Sequence, residues 1–158
     1  VVASMLIAEM YAWYKSQGMT LCDAITALYE KYGYARESQD SFTLKGKDGL
    51  EKIHHAMDRL RLEKAGLFGN IGIYAMRDYE CGTRTVIETG KEEPTGLPES
   101  NVLYYETNDG YWFCVRPSGT EPKIKIYYGV SGRSADEAEK ALETLKGQVL
   151  SVIKPLLD

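Results

Sequence analysis

Two runs of strand-forming residues flank a short polar loop in the second half of the chain, and this arrangement constrains the fold more than any other feature. The run Tyr111–Val115 precedes the loop and the run Ile124–Tyr128 follows it. Both runs are rich in the aromatic and β-branched residues that strands favour. The loop reads Arg-Pro-Ser-Gly-Thr-Glu-Pro over residues 116–122. Strands at both ends, together with two prolines, predict a rigid loop that holds ligand contacts in place.

The residues of this loop are those that a phosphate dianion requires. The guanidinium of Arg116 offers a bidentate contact, and Ser118 and Thr120 offer hydroxyl donors. Gly119 permits a positive φ, which lets successive backbone N–H groups point into one hollow. The alternative is an ordinary tight turn, because turns are commonly rich in Ser, Gly and Pro. The arginine before the loop and the lysines after it favour phosphate binding.

Strand alternation separates these lysines from the core. Lys123 and Lys125 share one face of the predicted strand, whereas Ile124 and Ile126 share the other. If the isoleucines pack against a helix, both lysines point outward beside the loop. For Lys123, a solvated surface charge is an equally good interpretation. Glu121 cannot bind an anion directly, so we expect it to orient a neighbouring cation or the loop.

The loop sequence resembles the phosphate-binding loop in the last domain of the α-D-phosphohexomutases, the superfamily of phosphoglucomutases and phosphomannomutases. Residues 97–103 and 109–113 resemble the strands that lead into that loop, and residues 41–50 resemble the end of the preceding domain. The resemblance covers nearly the whole chain and looks most like the large bacterial phosphoglucomutases.

The resemblance implies an enzyme that interconverts hexose 1-phosphate and hexose 6-phosphate through a bisphosphate intermediate. This chain would hold the phosphate that is not reacting, and its partners would be glucose or mannose phosphates and the upstream domains of the same polypeptide. Mg²⁺ and a hexose 1,6-bisphosphate are the implied cofactors of the parent enzyme, and none is bound by this chain's own residues. The family often has a basic residue at the place of Lys125. The predicted phosphate-binding residues are Arg116, Ser118, Gly119, Thr120, Lys123 and Lys125.

The family's catalytic elements do not occur in this sequence. The resemblance implies a phosphoserine followed by histidine, a D-x-D-x-D loop that holds Mg²⁺, and a Gly-Glu-Glu-Ser loop that reads the sugar; the chain has none of these patterns. Phosphoryl transfer depends on in-line positioning and on a metal that neutralises charge. We therefore predict no catalytic and no metal-binding residue in this chain, and no activity of the chain alone.

Apolar spacing predicts a mainly helical first third. Helices are expected over residues 1–17, after the capping residue Thr20 and after the capping residue Asp48, with a short strand at 41–45. The glycine-rich stretch 66–72 then breaks the pattern. The uncapped, apolar start of the first helix is typical of a chain cut from a longer parent.

The remainder alternates as strands, followed by a last helix that Ser134 caps with Glu137 as its partner. The predicted class is therefore α+β. Residues 1–63 are expected to be a helical remnant of a preceding α/β domain, residues 64–70 a hinge, and residues 71–158 a C-terminal domain. The resemblance implies a TATA-binding-protein-like shape for this last domain, an antiparallel sheet backed by helix. The predicted strands are 71–79, 84–88, 102–107, 111–115 and 123–130.

Composition argues against several classes of partner. The chain has 158 residues and a net charge of −4, which disfavours nucleic acid. No apolar run approaches the roughly 20 residues of a membrane span, so no membrane partner is expected. Cys22, Cys81 and Cys114 are far apart and form no C-x-x-C pair. We therefore expect reduced thiols and a cytoplasmic location.

Two other interpretations of the function stay open. The parent enzyme fits a phosphomannomutase or a phosphoglucosamine mutase equally well, because the residues that choose the sugar lie upstream. A different class is a stand-alone anion-binding or interaction module without catalysis. Exposure of the apolar helix at residues 1–17 would count against such a module.

Overall fold

The computed structural model describes residues 1–46 and 48–158, which form α-helices, one short 3₁₀ helix and an antiparallel sheet. The helices are α1 (Val2–Ser16), α2 (Leu21–Tyr32), α3 (Asp48–Glu63) and α4 (Ala135–Leu157), with the 3₁₀ helix at Lys64–Phe68. The strands are β1 (Tyr34–Thr43), β2 (Ile73–Asp78), β3 (Thr83–Val86), β4 (Glu92–Pro94), β5 (Leu103–Thr107), β6 (Trp112–Pro117) and β7 (Lys123–Gly132). They form one sheet in the order β1-β7-β6-β5-β2-β3-β4, with antiparallel neighbours throughout. The predicted α+β class is confirmed.

Two helices begin at the capping residues that the sequence predicts. The backbone N–H of Asp23 donates to Thr20 Oγ1 at 3.1 Å, and the backbone N–H of Thr20 donates to the Asp23 carboxylate at 2.8 Å, which closes a capping box. At α4, the backbone N–H of Glu137 donates to Ser134 Oγ at 3.2 Å. The Glu137 carboxylate, however, accepts from the backbone N–H of Arg133 at 2.8 Å. The cap at Ser134 is thus confirmed, but the reciprocal bond forms one residue earlier.

One face of the sheet packs against α3, α4 and the 3₁₀ helix. On β7, the side chains of Ile124, Ile126 and Tyr128 are fully buried in this core. Lys123, Lys125 and Tyr127 are only partly buried and lie on the opposite, open face. Burial of an apolar side chain such as that of Ile124 or Ile126 contributes about 1.5–3 kcal/mol to the stability of the fold. The predicted orientation of the lysines away from the core is therefore confirmed.

The segment at residues 64–70, where the sequence predicts a hinge, is anchored to the core through Phe68, and its role as a hinge stays a prediction. Phe68, the last residue of the 3₁₀ helix, is fully buried. Its ring makes edge contacts with Tyr105 and Phe113, with centroid distances of 5.0 Å and 4.9 Å. Ile71, three residues later, is buried as well. Phe68 cannot leave this position without opening the close-packed interior.

The packed unit also begins earlier than residue 64. Strand β1 pairs with β7 over ten residues, so the expected short strand at 41–45 is a full edge strand. Helix α3 belongs to the same core, where it buries Ile53, Ala56, Met57 and Leu60. The described residues from 34 to 46 and from 48 to 158 therefore share one sheet and one core, and a division after residue 63 does not follow the packing. That the residues before β1 belong to a preceding domain stays a prediction.

Helices α1 and α2 lie outside this core. No residue of α1 is buried, and α2 buries only Ala24. Several large apolar side chains of α1 are more than half exposed: Val2, Met5, Leu6, Ile7 and Trp13. Exposed apolar surface of this extent is typical of a surface that contacts another protein segment. None of the described helices has the combination of length and apolarity needed to cross a bilayer.

Candidate anion-binding site

Backbone hydrogen bonds within the loop between β6 and β7, and one from a neighbouring segment, hold this loop in place. Within it, the N–H of Ser118 donates to the carbonyl of Lys123, and the N–H of Lys123 donates to the carbonyl of Glu121, both at 2.7 Å. From outside, the N–H of Leu44, just after β1, donates to the carbonyl of Pro122 at 2.8 Å. The strands at both ends therefore fix the loop, as its sequence predicts, and the segment after β1 adds a contact that the sequence did not predict.

A partly open cavity of about 270 Å³ adjoins this loop. Strand pairing sets Arg116 of β6 directly beside Lys125 of β7, on the open face of the sheet. Lys123 lies on the same face of β7, two residues nearer the loop. Three cationic side chains thus line one cavity, which favours an anionic ligand. The full lining is Arg116, Pro117, Ser118, Gly119, Glu121, Lys123, Lys125 and Tyr127.

The three cations differ in their charged partners. Nζ of Lys123 lies 2.9 Å from Oε2 of Glu121. The hydrogen bond and charge of Lys123 lower the pKa of the Glu121 carboxyl, with a smaller contribution from Lys125. This ion pair confirms the expectation that Glu121 orients a neighbouring cation. Across residues 1–46 and 48–158, neither Arg116 nor Lys125 forms an ion pair within 4 Å.

The structure brings most of the predicted site residues together, with two corrections. Thr120 is exposed and does not line the cavity. Gly119 lines it, but its φ is not positive, so the expectation of a left-handed residue there is wrong. A Cβ at Gly119 would meet no atom within 4 Å. The residues that do line the cavity are Arg116, Ser118, Gly119, Lys123 and Lys125.

Two donors that an anion requires are left free by the loop. Among the hydrogen bonds of the described residues, none uses the backbone N–H of Gly119 or of Thr120. The hydroxyl of Ser118 accepts a long bond, 3.4 Å, from the N–H of Glu121. An accepting hydroxyl still has its own hydrogen to donate. The loop therefore has both backbone and hydroxyl donors available for a ligand.

Sequence reasoning did not assign Tyr127 to the site, although strand alternation places it on the same face as Lys125. Tyr127 lines the cavity and pairs in register with Cys114 of β6.

Burial raises the pKa of the Cys114 thiol to about 11, although the positive charge of Arg116 lowers it. At neutral pH this thiol is protonated and therefore a poor nucleophile.

The described residues contain no group of three or more His, Cys, Asp or Glu side chains placed to hold a metal ion. The three cysteines are free thiols.

A family described as phosphoglucomutase/phosphomannomutase, C-terminal domain, matches residues 62–146. The match includes the whole loop and every strand from β2 to β7. The chain belongs to this family. The resemblance drawn from the loop sequence is therefore confirmed, and the cationic cavity lies within the matched segment.

Similar proteins agree with this membership. The phosphoglucomutase of Staphylococcus haemolyticus is 32% identical over 126 residues, which cover 80% of this chain and 23% of the relative. The phosphoglucomutase of Staphylococcus aureus is 28% identical over 140 residues, which cover 89% of this chain and 25% of the relative. The chain thus spans about a quarter of the length of these relatives.

A solved structure shares the fold. The open form of the exocytosis-sensitive phosphoprotein pp63/parafusin, a phosphoglucomutase from Paramecium, superimposes with a TM-score of 0.55 at 16% identity. The superposition covers 85% of this chain and 23% of the Paramecium chain.

Proposed function

We propose that this chain is the phosphate-holding part of a phosphoglucomutase-type enzyme that interconverts hexose 1-phosphate and hexose 6-phosphate. The observation that carries the proposal is the convergence of Arg116, Lys123 and Lys125 on one cavity beside a loop with free donors. This cavity lies inside the segment that matches the family. The relatives that support the activity are about three and a half times as long as this chain, so the chemistry is proposed for a longer parent.

Each lining residue has a distinct role in this proposal. The planar guanidinium of Arg116 binds two phosphate oxygens at once, and the ammonium of Lys125 acts as a point charge beside it. The hydroxyl of Ser118 and the backbone N–H of Gly119 donate to the remaining oxygens. Because Arg116 and Lys125 have no competing carboxylate within 4 Å among the described residues, both charges are available to a ligand.

The proposed role is to hold the phosphate that is not reacting. After the first phosphoryl transfer, the bisphosphate intermediate has to reorient, and the same cavity would then hold the other phosphate. Contacts to phosphate oxygens suit this exchange, because they do not depend on which sugar carbon bears the phosphate. The phosphoryl donor, the Mg²⁺ and the residues that read the sugar are proposed to lie upstream in the parent, and this chain alone is proposed to be inactive. A cytoplasmic location is proposed because sugar phosphates are the implied substrates.

The experiment that tests this function is a titration of isotope-labelled chain, followed by the NMR shifts of backbone amides. Glucose 1-phosphate and glucose 6-phosphate should both shift the amides of residues 116–125, and glucose should not. Arg116→Ala should weaken both phosphates. Arg133→Ala is a matched control, because this exposed arginine lies just beyond the other end of β7 and should leave binding unchanged. Failure of both phosphates to shift this loop at millimolar concentration would overturn the proposal.

A further inference from the structure

The sheet formed by the described residues has two edges, and they differ in how they end. At one edge, β4 has three residues and finishes at Pro94, which has no backbone N–H to donate. At the other edge, β1 has ten residues, contains no proline and pairs with β7 in an uninterrupted register. Proteins usually blunt a long edge strand, because its unpaired N–H and C=O groups can pair with another chain. Strand β1 is therefore the open edge of this sheet.

Hydrogen bonding beside β1 shows which of its backbone groups face outward. The N–H of Leu44 donates to the carbonyl of Pro122, and this pair continues the register of β1 with β7. Residues that bond to the neighbouring strand alternate with residues that do not in an antiparallel pair. The residues that turn their N–H and C=O groups to the open edge are therefore Ala35, Glu37, Gln39, Ser41 and Thr43, and all five are exposed. Among the described residues, no turn, loop or side-chain hydrogen bond uses these backbone groups.

The sequence of β1 is complementary to itself when two copies run antiparallel. Arg36 and Asp40 lie two residues before and two residues after Ser38, on the face of β1 that meets α4. If Ser38 of one copy lies opposite Ser38 of the other, each Arg36 lies opposite an Asp40, and each Tyr34 lies opposite a Phe42. Opposite charges and aromatic pairs directly across two strands stabilise a sheet. These are also the positions without backbone hydrogen bonds between the copies, where facing side chains approach most closely.

Neighbouring registers lose this match. A shift by two residues in one direction places Arg36 opposite Phe42, and a shift in the other direction places Glu37 opposite its own copy. Like charges directly opposite each other destabilise a strand pair. In the matched register, both charged side chains have surface left for a partner, because Arg36 is 36% exposed and Asp40 is 27% exposed beside their contacts with α4.

We propose that β1 is an interaction surface for a second copy of this chain, which adds its own β1 antiparallel and joins the two sheets into one. The two-fold axis passes beside Ser38. A contact made mainly by one pair of strands is smaller than a standard interface of roughly 1,600 Å², so the association is weak and depends on concentration. The cavity beside the β6–β7 loop contains no residue of β1. The inference therefore goes beyond the proposed function and stands or falls separately from it.

The test is sedimentation equilibrium of the chain up to millimolar concentration, with two charge reversals. Arg36→Glu places a glutamate opposite each Asp40, and Asp40→Lys places a lysine opposite each Arg36. Each variant alone should raise the dissociation constant of the dimer about tenfold. An equimolar mixture of the two variants should dimerise about as well as the wild-type chain, because every facing pair in the mixed dimer has opposite charges. Arg59→Glu, at an exposed position of α3, is the matched control and should change nothing.

A further variant tests the backbone contact without altering a charge. Gln39→Pro removes an N–H that faces the open edge and leaves the ladder with β7 intact, so it should abolish the dimer while urea unfolding shows a folded chain. A wild-type chain that stays monomeric at millimolar concentration overturns the inference. Association that is equal in the wild type, Arg36→Glu and Gln39→Pro also overturns it, because another surface, such as the apolar side chains of α1, then joins the copies. Failure of the mixture to recover the affinity lost in the single variants overturns the register.

Discussion

The burial of Phe68 in the core makes a strong prediction for the variant Phe68→Ala. Phe68 is fully buried and lies within 5.0 Å, centroid to centroid, of the rings of Tyr105 and Phe113. Truncation of a buried Phe to Ala costs about 3–5 kcal/mol, and loss of edge-on aromatic pairs adds to the value. We therefore expect the free energy of unfolding to fall by about 4 kcal/mol, a large part of the 5–15 kcal/mol typical of a domain.

The measurement is urea unfolding, followed by circular dichroism at 222 nm. Leu62→Ala is the control, because Leu62 lies six residues earlier, at the end of α3, and is 83% exposed. That control should change the free energy of unfolding by no more than about 0.5 kcal/mol. A loss below about 1.5 kcal/mol for Phe68→Ala, well under the range for a buried aromatic residue, would refute the argument. The segment would then be a loosely packed connection, as its glycines first indicate.

Three further predictions concern the loop and the open face of the sheet. Arg116→Ala should weaken the affinity for glucose 1-phosphate about tenfold. This factor corresponds to the lower end of the free energy of a charge-assisted hydrogen bond, because Arg116 is exposed. An unchanged affinity in an NMR titration would contradict its role. Gly119→Ala should leave the melting temperature unchanged, because φ at this residue is not positive and a Cβ would meet no neighbour. Gly129→Ala places a Cβ 2.2 Å from the indole ring of Trp112. It should lower the free energy of unfolding by about 1–3 kcal/mol and therefore lower the melting temperature. Equal melting temperatures for these two alanine variants would contradict the packing. Burial raises the pKa of the Cys114 thiol to about 11, so Cys114 should react with iodoacetamide at pH 8 far more slowly than the exposed Cys22. Its reactivity should rise as the pH approaches 11. Equal labelling of the two cysteines at about pH 8, measured by mass spectrometry, would argue against that burial.

Where apolar and polar residues alternate, the sequence predicts the sheet well. Strand β7 alternates buried isoleucines with outward lysines, so its position and orientation follow from the pattern alone. The first seven residues of β1 have no such pattern, because their inward side chains are polar as well. Those side chains are accommodated by α4: Arg36 pairs with Glu139 at 3.4 Å, and Ser38 accepts from Lys146 at 3.1 Å. This is a tertiary arrangement that periodicity does not report.

Gly72 shows why glycine content alone does not establish a flexible segment. A Cβ at Gly72 would lie 2.7 Å from Nδ2 of Asn108. The glycine thus allows two segments to approach closely, which is a packing reason and not a reason of flexibility. At the site, the cations and the loop followed from residue type and strand alternation. The backbone angle at Gly119 did not follow, because a glycine permits either sign of φ.

The most direct test of the central claim is a crystal structure of the chain grown with glucose 1-phosphate. The account predicts the phosphate in the cavity of the β6–β7 loop, with its oxygens within hydrogen-bond distance of the Arg116 guanidinium, the Ser118 hydroxyl and the Lys125 ammonium. A phosphate bound elsewhere on the chain, with this cavity occupied only by solvent, would contradict it.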